Sequence, residues 1–336
     1  MEEKISVVIA AYNQENEIEK AVRSALSEDL ENMEVIVVND GSTDRTGEVL
    51  SALSASDERL RVITKENGGV SSARNEGIRA AAGRWLVTLD GDDYFEPGAL
   101  RLLADAMENG APRPGLVITG MRYEYPDHAE DFVPEKEFAG SLSEFLTEEF
   151  TGLSDTHLVT THCNKLYDLE ILRKNGIFYD ESLRINEDID FVFRYLAVCN
   201  RVKVIPGICI HYVQHKTGES QIGTFRENGL SSSLTVLTDL EALVKKAGVS
   251  EEASLDGLRR RMLVHILSFS GVMYRQSGYC GSRKREELRK LCENEAFTSL
   301  LSRVKPEGLK EKTAATLLRG KKLWLYHLLC TVLYRI

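Results

Sequence analysis

Apolar and polar positions alternate between two periods over the first 120 residues. Ser6–Ala11 is an unbroken run of β-branched and small apolar residues, the pattern of a strand buried on both faces. Ile18, Ala21, Val22, Ala25 and Leu26 then recur at helical spacing. Glu34–Asn39 predicts a second buried strand, Thr46–Leu53 a second helix and Leu60–Thr64 a third strand. A third helix is expected through Ser71–Ala82, with Gly83 placed to end it. Trp85–Leu89 predicts a fourth strand, and Pro97 marks the start of a helix with Leu100, Leu103, Ala104 and Met107 on its apolar face. Strands alternating with helices imply an α/β fold with a mostly parallel central sheet covered on both sides.

Beyond Met121 the pattern is less regular, with a strand over Val202–Tyr212 and a helix after Asn186. From Leu230 onward it is helical. Leu230, Leu234, Leu237, Leu240 and Val244 mark one face, and Leu258, Met262, Ile266 and Leu267 another.

Composition changes this picture in three ways. A hydrophobic fraction of 43% is enough for a real core, and a net charge of −10 argues against a nucleic-acid binder. The charge is segregated, because residues 282–336 carry 13 Lys and Arg against 6 Asp and Glu. Six cysteines without a C-x-x-C pair read as reduced thiols of a cytoplasmic protein. The opening residues lead straight into a strand with no signal-peptide pattern, and no run reaches 18 apolar residues.

In parallel α/β sheets ligands bind beyond the carboxyl ends of the strands. Four of those ends carry complementary groups: Tyr12-Asn13-Gln14-Glu15, Asp40-Gly41-Ser42, Asn67-Gly68-Gly69 with Arg74 one helical turn later, and Asp90-Gly91-Asp92-Asp93. A ring can stack on a base, an Asp can accept from a base N–H, and clustered carboxylates can hold a hard cation on a diphosphate. Any one of these is a common turn. All four in this order are hard to explain as turns.

The chain here resembles family 2 glycosyltransferases, which have the GT-A nucleotide-sugar fold. The runs that carry the resemblance are SVVIAAYNQEN, VIVVNDGSTDRT, NGGVSSARNEGI, WLVTLDGDD, NKLYDLEIL, INEDIDF and HYVQH. One position is variable: Asn39 stands where many members have a second Asp. The resemblance implies a GT-A domain over 1–220, with a donor half at 1–120 and an acceptor half at 121–220. A helical extension follows over 221–336. It implies a UDP-sugar donor, Mn2+ or Mg2+, and a saccharide or lipid-linked saccharide acceptor.

Matched residue by residue, it puts Tyr12 and Asp40 on the nucleobase, with Arg74 and Glu15 lining that pocket. Asp90 would contact the ribose or sugar, Asp92 would ligate the metal, and Asp93 would serve it indirectly. Asp188, beside Glu187 at a helix start, fits the general base, and the helix dipole would help keep it ionised. Lys165 would face the cleft between donor and acceptor. Of His211 and His215, the resemblance favours His215 near the diphosphate or as a further metal ligand.

Other readings exist for several of these groups. The acidic Asp90–Asp93 loop could simply cap the helix near Pro97, and Glu187 and Asp188 could merely favour a helix dipole. A nucleotidylyltransferase would need glycines and basic residues after the first strand, which Tyr12–Glu15 lacks. A silent nucleotide-sugar-binding module would be expected to lose the acidic motif or Asp188.

The last apolar run, Leu323–Tyr334, is too short to span a bilayer. Between basic residues, it suits either a final packed helix or a helix lying on an anionic membrane surface at the cytoplasmic side.

Overall fold

The computed structural model describes residues 4–30, 32–109, 112–183, 185–214, 229–249, 256–276 and 278–333. The first half runs β1 (Ile5–Ala11), α1 (Ile18–Leu26), β2 (Met33–Asn39), α2 (Thr46–Ser54), β3 (Leu60–Thr64), α3 (Val70–Ala80), β4 (Trp85–Asp90), β5 (Tyr94–Phe95) and α4 (Ala99–Glu108). The second half runs β6 (Leu116–Glu124), β7 (Ala129–Phe132), β8 (Phe138–Ser141), α5 (Leu142–Glu148), α6 (Phe150–Asp155), β9 (Lys165–Asp168), α7 (Leu169–Lys174), α8 (Glu187–Leu196) and β10 (Arg201–Val213). Among the described residues six helices follow: α9 (Gly229–Ala247), α10 (Asp256–Gln276), α11 (Gly281–Glu293), α12 (Glu295–Arg303), α13 (Gly308–Arg319) and α14 (Leu323–Leu333).

All the described strands join one sheet in the order β3-β2-β1-β4-β9-β6-β10-β5, with β7 on β6 and β8 on β10. β1 lies parallel between β2 and β4, with Val7 opposite Val35 on one side and Val87 on the other. All seven β1 residues are buried, as their continuous apolar run predicts. The parallel expectation holds for β3-β2-β1-β4. Beyond β4 the sheet is mixed, because β9 enters antiparallel between β4 and β6. β6 runs through the expected boundary at residue 120, so the two halves share a strand.

Two helix boundaries differ from expectation. α3 ends at Ala80, and Ala81 is already extended, with φ −59° and ψ 134°, so Gly83 does not cap the helix. Gly83 instead lies against β1, where an added Cβ would come within 2.6 Å of the Lys4 carbonyl oxygen. The acidic loop after β4 does not cap α4 either. Buried Glu28, at the end of α1, does so, accepting from the N–H of Gly98 at 2.8 Å and of Leu100 at 3.2 Å.

The helical extension packs on the sheet domain through α9 against α8, the helix that begins with Glu187. α14 packs on α11 and α13, burying Tyr326 and Cys330 and leaving Trp324 and Leu328 exposed. No helix of the described residues is long and apolar enough to cross a membrane. All six cysteines are free, and five are buried.

α3 lies so close to β1 that a Cβ on Gly77 would meet Val8 Cγ1 at 2.2 Å. Gly77→Ala should therefore lower stability by about 1–3 kcal/mol, the usual cost of overpacking. A urea unfolding midpoint equal to that of wild type would mean that α3 can stand off the sheet freely.

Candidate active site

The loops after β1, β2 and β3 form one hydrogen-bonded unit at the carboxyl end of the sheet. Asn13, at φ +52°, donates its N–H to Ser42 Oγ and accepts from the Thr43 N–H. Glu15 accepts from the Arg45 N–H at 2.9 Å, so its carboxylate ties the first loop to the second. Asp40 is buried, and its carboxylate accepts from the N–H of Gly68 at 3.0 Å and of Gly69 at 2.7 Å, and from Lys65 Nζ at 2.7 Å. Asp40 thus fixes the β3–α3 loop. Tyr12 is 49% exposed at the end of β1, leaving its ring available for stacking. Asn39 spends its side-chain oxygen on the Ser42 N–H, within the turn, and leaves Asp40 undisturbed.

The acidic motif follows β4. Gly91 is closely packed there: a Cβ would lie 2.1 Å from Gln14 Oε1 and 3.0 Å from the Ala10 carbonyl oxygen. Asp93 is buried; one oxygen accepts from the Val213 N–H at 2.9 Å, and the other has no hydrogen-bond partner. Burial and the neighbouring charges of Asp92 and Asp90 push the Asp93 carboxyl well above its ordinary range. Three crowded carboxyl groups with an orphaned oxygen are a setting that a divalent cation would relieve, so the residues fit a metal. Among the described residues, no group of three or more His, Cys, Asp or Glu is arranged to hold one. Asp92 and Asp93 alone would thus leave most of a divalent cation's shell to oxygens from outside these side chains.

Arg74, expected near the nucleobase, is spent on an internal bridge. It is 4% exposed, and it donates to Asp90 Oδ1 at 2.6 Å and to Glu187 Oε1 at 3.1 Å. Burial opposes the Asp90 charge, but Arg74 and His162 outweigh it and hold that carboxyl well below the usual carboxylate range. His162 was not singled out by sequence. It is buried, with Nδ1 2.8 Å from Thr88 Oγ1 and Nε2 3.4 Å from Asp90 Oδ2. Its only sequence signal is its place in the short run before Asn164 and Lys165.

Asp188 stands at the first turn of α8, next to Glu187. Burial, then the neighbouring Glu187 charge, push Asp188 up to about 7 despite Arg74, so the helix start does not by itself set its charge. That value suits a group that exchanges protons near neutrality. Lys165 does not face the cleft. It is fully buried, donating to the carbonyls of Leu158 and Thr161 and to Asn164 Oδ1, and burial lowers its ammonium to about 7. It anchors the 158–164 segment that carries His162. His211 is likewise occupied, 2.8 Å from Glu124 through Nδ1 and 2.5 Å from Glu96 through Nε2. His215 lies outside the described residues.

Comparison with known proteins bears on the family and the fold. The profile of Glycosyl transferase family 2 matches residues 6–176. The uncharacterized glycosyltransferase EpsJ of Bacillus subtilis (strain 168) is 32% identical over 202 residues, 60% of this chain and 58% of EpsJ. Hyaluronan synthase of Pasteurella multocida is 44% identical over 230 residues, 67% of this chain but 22% of the synthase. The chain thus spans less than two thirds of these two relatives. S. aureus TarS residues 1–349, solved in complex with UDP-GlcNAc, has the same fold, with a TM-score of 0.73 at 20% identity over 99% of this chain and 91% of that one. From the shared strand-end motifs, the GT-A architecture and the matched profile, this chain belongs to glycosyl transferase family 2.

Proposed function

We propose that this glycosyltransferase moves a hexosyl or N-acetylhexosaminyl group from a UDP-sugar to a saccharide hydroxyl, with inversion, in surface polysaccharide or glycolipid synthesis. The observation that carries the reading is the Asp90–Arg74–Glu187 bridge, which joins the acidic donor loop to the helix bearing Asp188. TarS was solved with UDP-GlcNAc, and the succinoglycan biosynthesis protein ExoO of Rhizobium meliloti is 29% identical over 269 residues; both support a nucleotide-sugar donor and a polysaccharide setting.

In this reading Tyr12 stacks on the base while Asp40 accepts its N–H. Asp188 takes the acceptor hydroxyl proton as that oxygen bonds to the anomeric carbon. The bond from that carbon to the diphosphate breaks, and UDP leaves with the electron pair. Mn2+ or Mg2+ held at Asp92, with Asp93 behind it, would neutralise the diphosphate charge. Holding the two substrates in line contributes several kcal/mol, on the order of that seen in oriented intramolecular reactions. A silent module remains the second reading, and it is disfavoured by the presence of both Asp92 and Asp188.

Asp92→Ala should remove the Mn2+-dependent part of UDP binding and abolish transfer, as read by calorimetry and UDP release. Full transfer by chelator-treated wild type would end the metal assignment.

Asp188→Asn should keep UDP affinity and lower turnover by roughly 10²–10⁴. Because the base must be deprotonated, wild-type turnover should rise with pH through about 7, and the variant should lack that rise. Parallel losses of binding and turnover would indicate a structural role for Asp188.

The exposed face of α14 also bears on location. Trp324 and Leu328, next to Lys321 and Lys322, favour contact with an anionic membrane at the cytoplasmic side, which would bring the cleft to a lipid-linked acceptor. Exchanging both apolar residues for Ser should abolish low-salt co-sedimentation with phosphatidylglycerol vesicles without unfolding the protein, since neither is buried. Undiminished co-sedimentation would rule out this face.

A further inference from the structure

β6 and β10 run parallel, and at their carboxyl ends Tyr123 stands opposite Tyr212 in register. The two rings lie edge to face with centroids 5.0 Å apart, and Phe132 from β7 closes on Tyr123 at 4.9 Å. Two residues further along the strand direction, Tyr125 stacks beside Tyr123 at 6.5 Å, and His128 lies flat on Tyr125 at 4.4 Å. Core residues of β6 such as Leu116, Val117, Ile118 and Met121 are fully buried. Tyr123, Tyr125 and Tyr212 are only half-buried. Tyr123 and Tyr212 pack against the core and yet stay partly exposed, so the row runs from the core to the surface.

Its position relative to the acidic loop is set by the strand ends. Asp93 accepts from the N–H of Val213, the residue after Tyr212, at 2.9 Å, and Val213 pairs with Glu124, the residue after Tyr123. These phenols thus stand beside the acidic loop. Tyr125 and His128 continue the row outward from there. The C–H faces of a sugar ring lie well on aromatic rings, and its hydroxyls bond to phenols and carboxylates.

We propose that Tyr123, Tyr212 and Tyr125 form the acceptor subsite, binding a glycan chain whose terminal sugar lies at Tyr123 and Tyr212 and whose next sugar lies on Tyr125. This rests on the glycosyltransferase reading above and adds to it the acceptor's class, an oligosaccharide rather than a single sugar. Specificity for length would come from Tyr125, and orientation of the reacting hydroxyl toward Asp188 from Tyr123.

The test is saturation-transfer NMR on the full chain, with and without UDP and Mn2+. The probes are methyl glycosides of glucose, galactose, N-acetylglucosamine and N-acetylgalactosamine at millimolar concentration, and the tetrasaccharides cellotetraose, chitotetraose and hyaluronan tetrasaccharide. Wild type should contact at least one tetrasaccharide more tightly than any monosaccharide. Tyr125→Ala, at a partly exposed position, should weaken that tetrasaccharide about tenfold with UDP affinity unchanged, the loss expected for one ring contact. Tyr123→Phe should keep stacking while altering the pattern of saturated sugar protons. Wild type that contacts no probe, or Tyr125→Ala that binds as tightly as wild type, overturns the subsite. Failure to bind UDP would count against the donor reading alone, since the saccharide contacts are read separately without it.

Discussion

Arg74 is a buried cation between two carboxylates from distant parts of the chain, Asp90 at the end of β4 and Glu187 at the start of α8. A guanidinium taken out of water needs such partners, and removing one from a buried pair typically costs about 3–5 kcal/mol. The same bridge sets the charge states around it. It holds Asp90 ionised, and it adds only partial relief to Asp188, which stays near neutral pH because Glu187 and burial oppose its charge. The acidic loop and the start of α8 are thereby held as one electrostatic unit.

Support for that unit comes from groups that touch no substrate in this reading. Asn75 accepts from the Tyr179 N–H and donates to the Tyr179 carbonyl, fixing the segment that leads to α8. Lys165 draws the 158–164 turn inward, which brings His162 to Asp90. Glu28 caps α4, so the acidic loop is left without that structural task. Each is a buried polar group satisfied by its neighbours, and together they pre-organise the cleft.

The extension is joined to this machinery where α9 packs on α8. Asn186, in the left-handed conformation at φ +62° just before Glu187, reaches Ser233 of α9 at 3.5 Å and His265 of α10 at 3.4 Å. The helical region therefore buttresses α8 at its first turn. This gives a physical reason for the sheet to be accompanied by helices that carry none of the strand-end motifs.

Much of this was legible in the chain itself. Continuous β-branched runs determined β1, β2 and β4, because only strands covered on both faces tolerate them, and polar groups at their ends marked the cleft. The placement of Tyr12, Asp40 and the acidic loop follows from that local pattern. What sequence could not settle depends on contacts between residues far apart. Arg74 sits 16 residues from Asp90 and 113 from Glu187 in the chain, so nothing local says that its charge is spent on them. Lys165 reads as a surface or cleft lysine until the fold buries it among carbonyls. The Asp188 charge state likewise reverses the local expectation, since a helix dipole is a near-neighbour effect whereas burial is imposed by the whole fold.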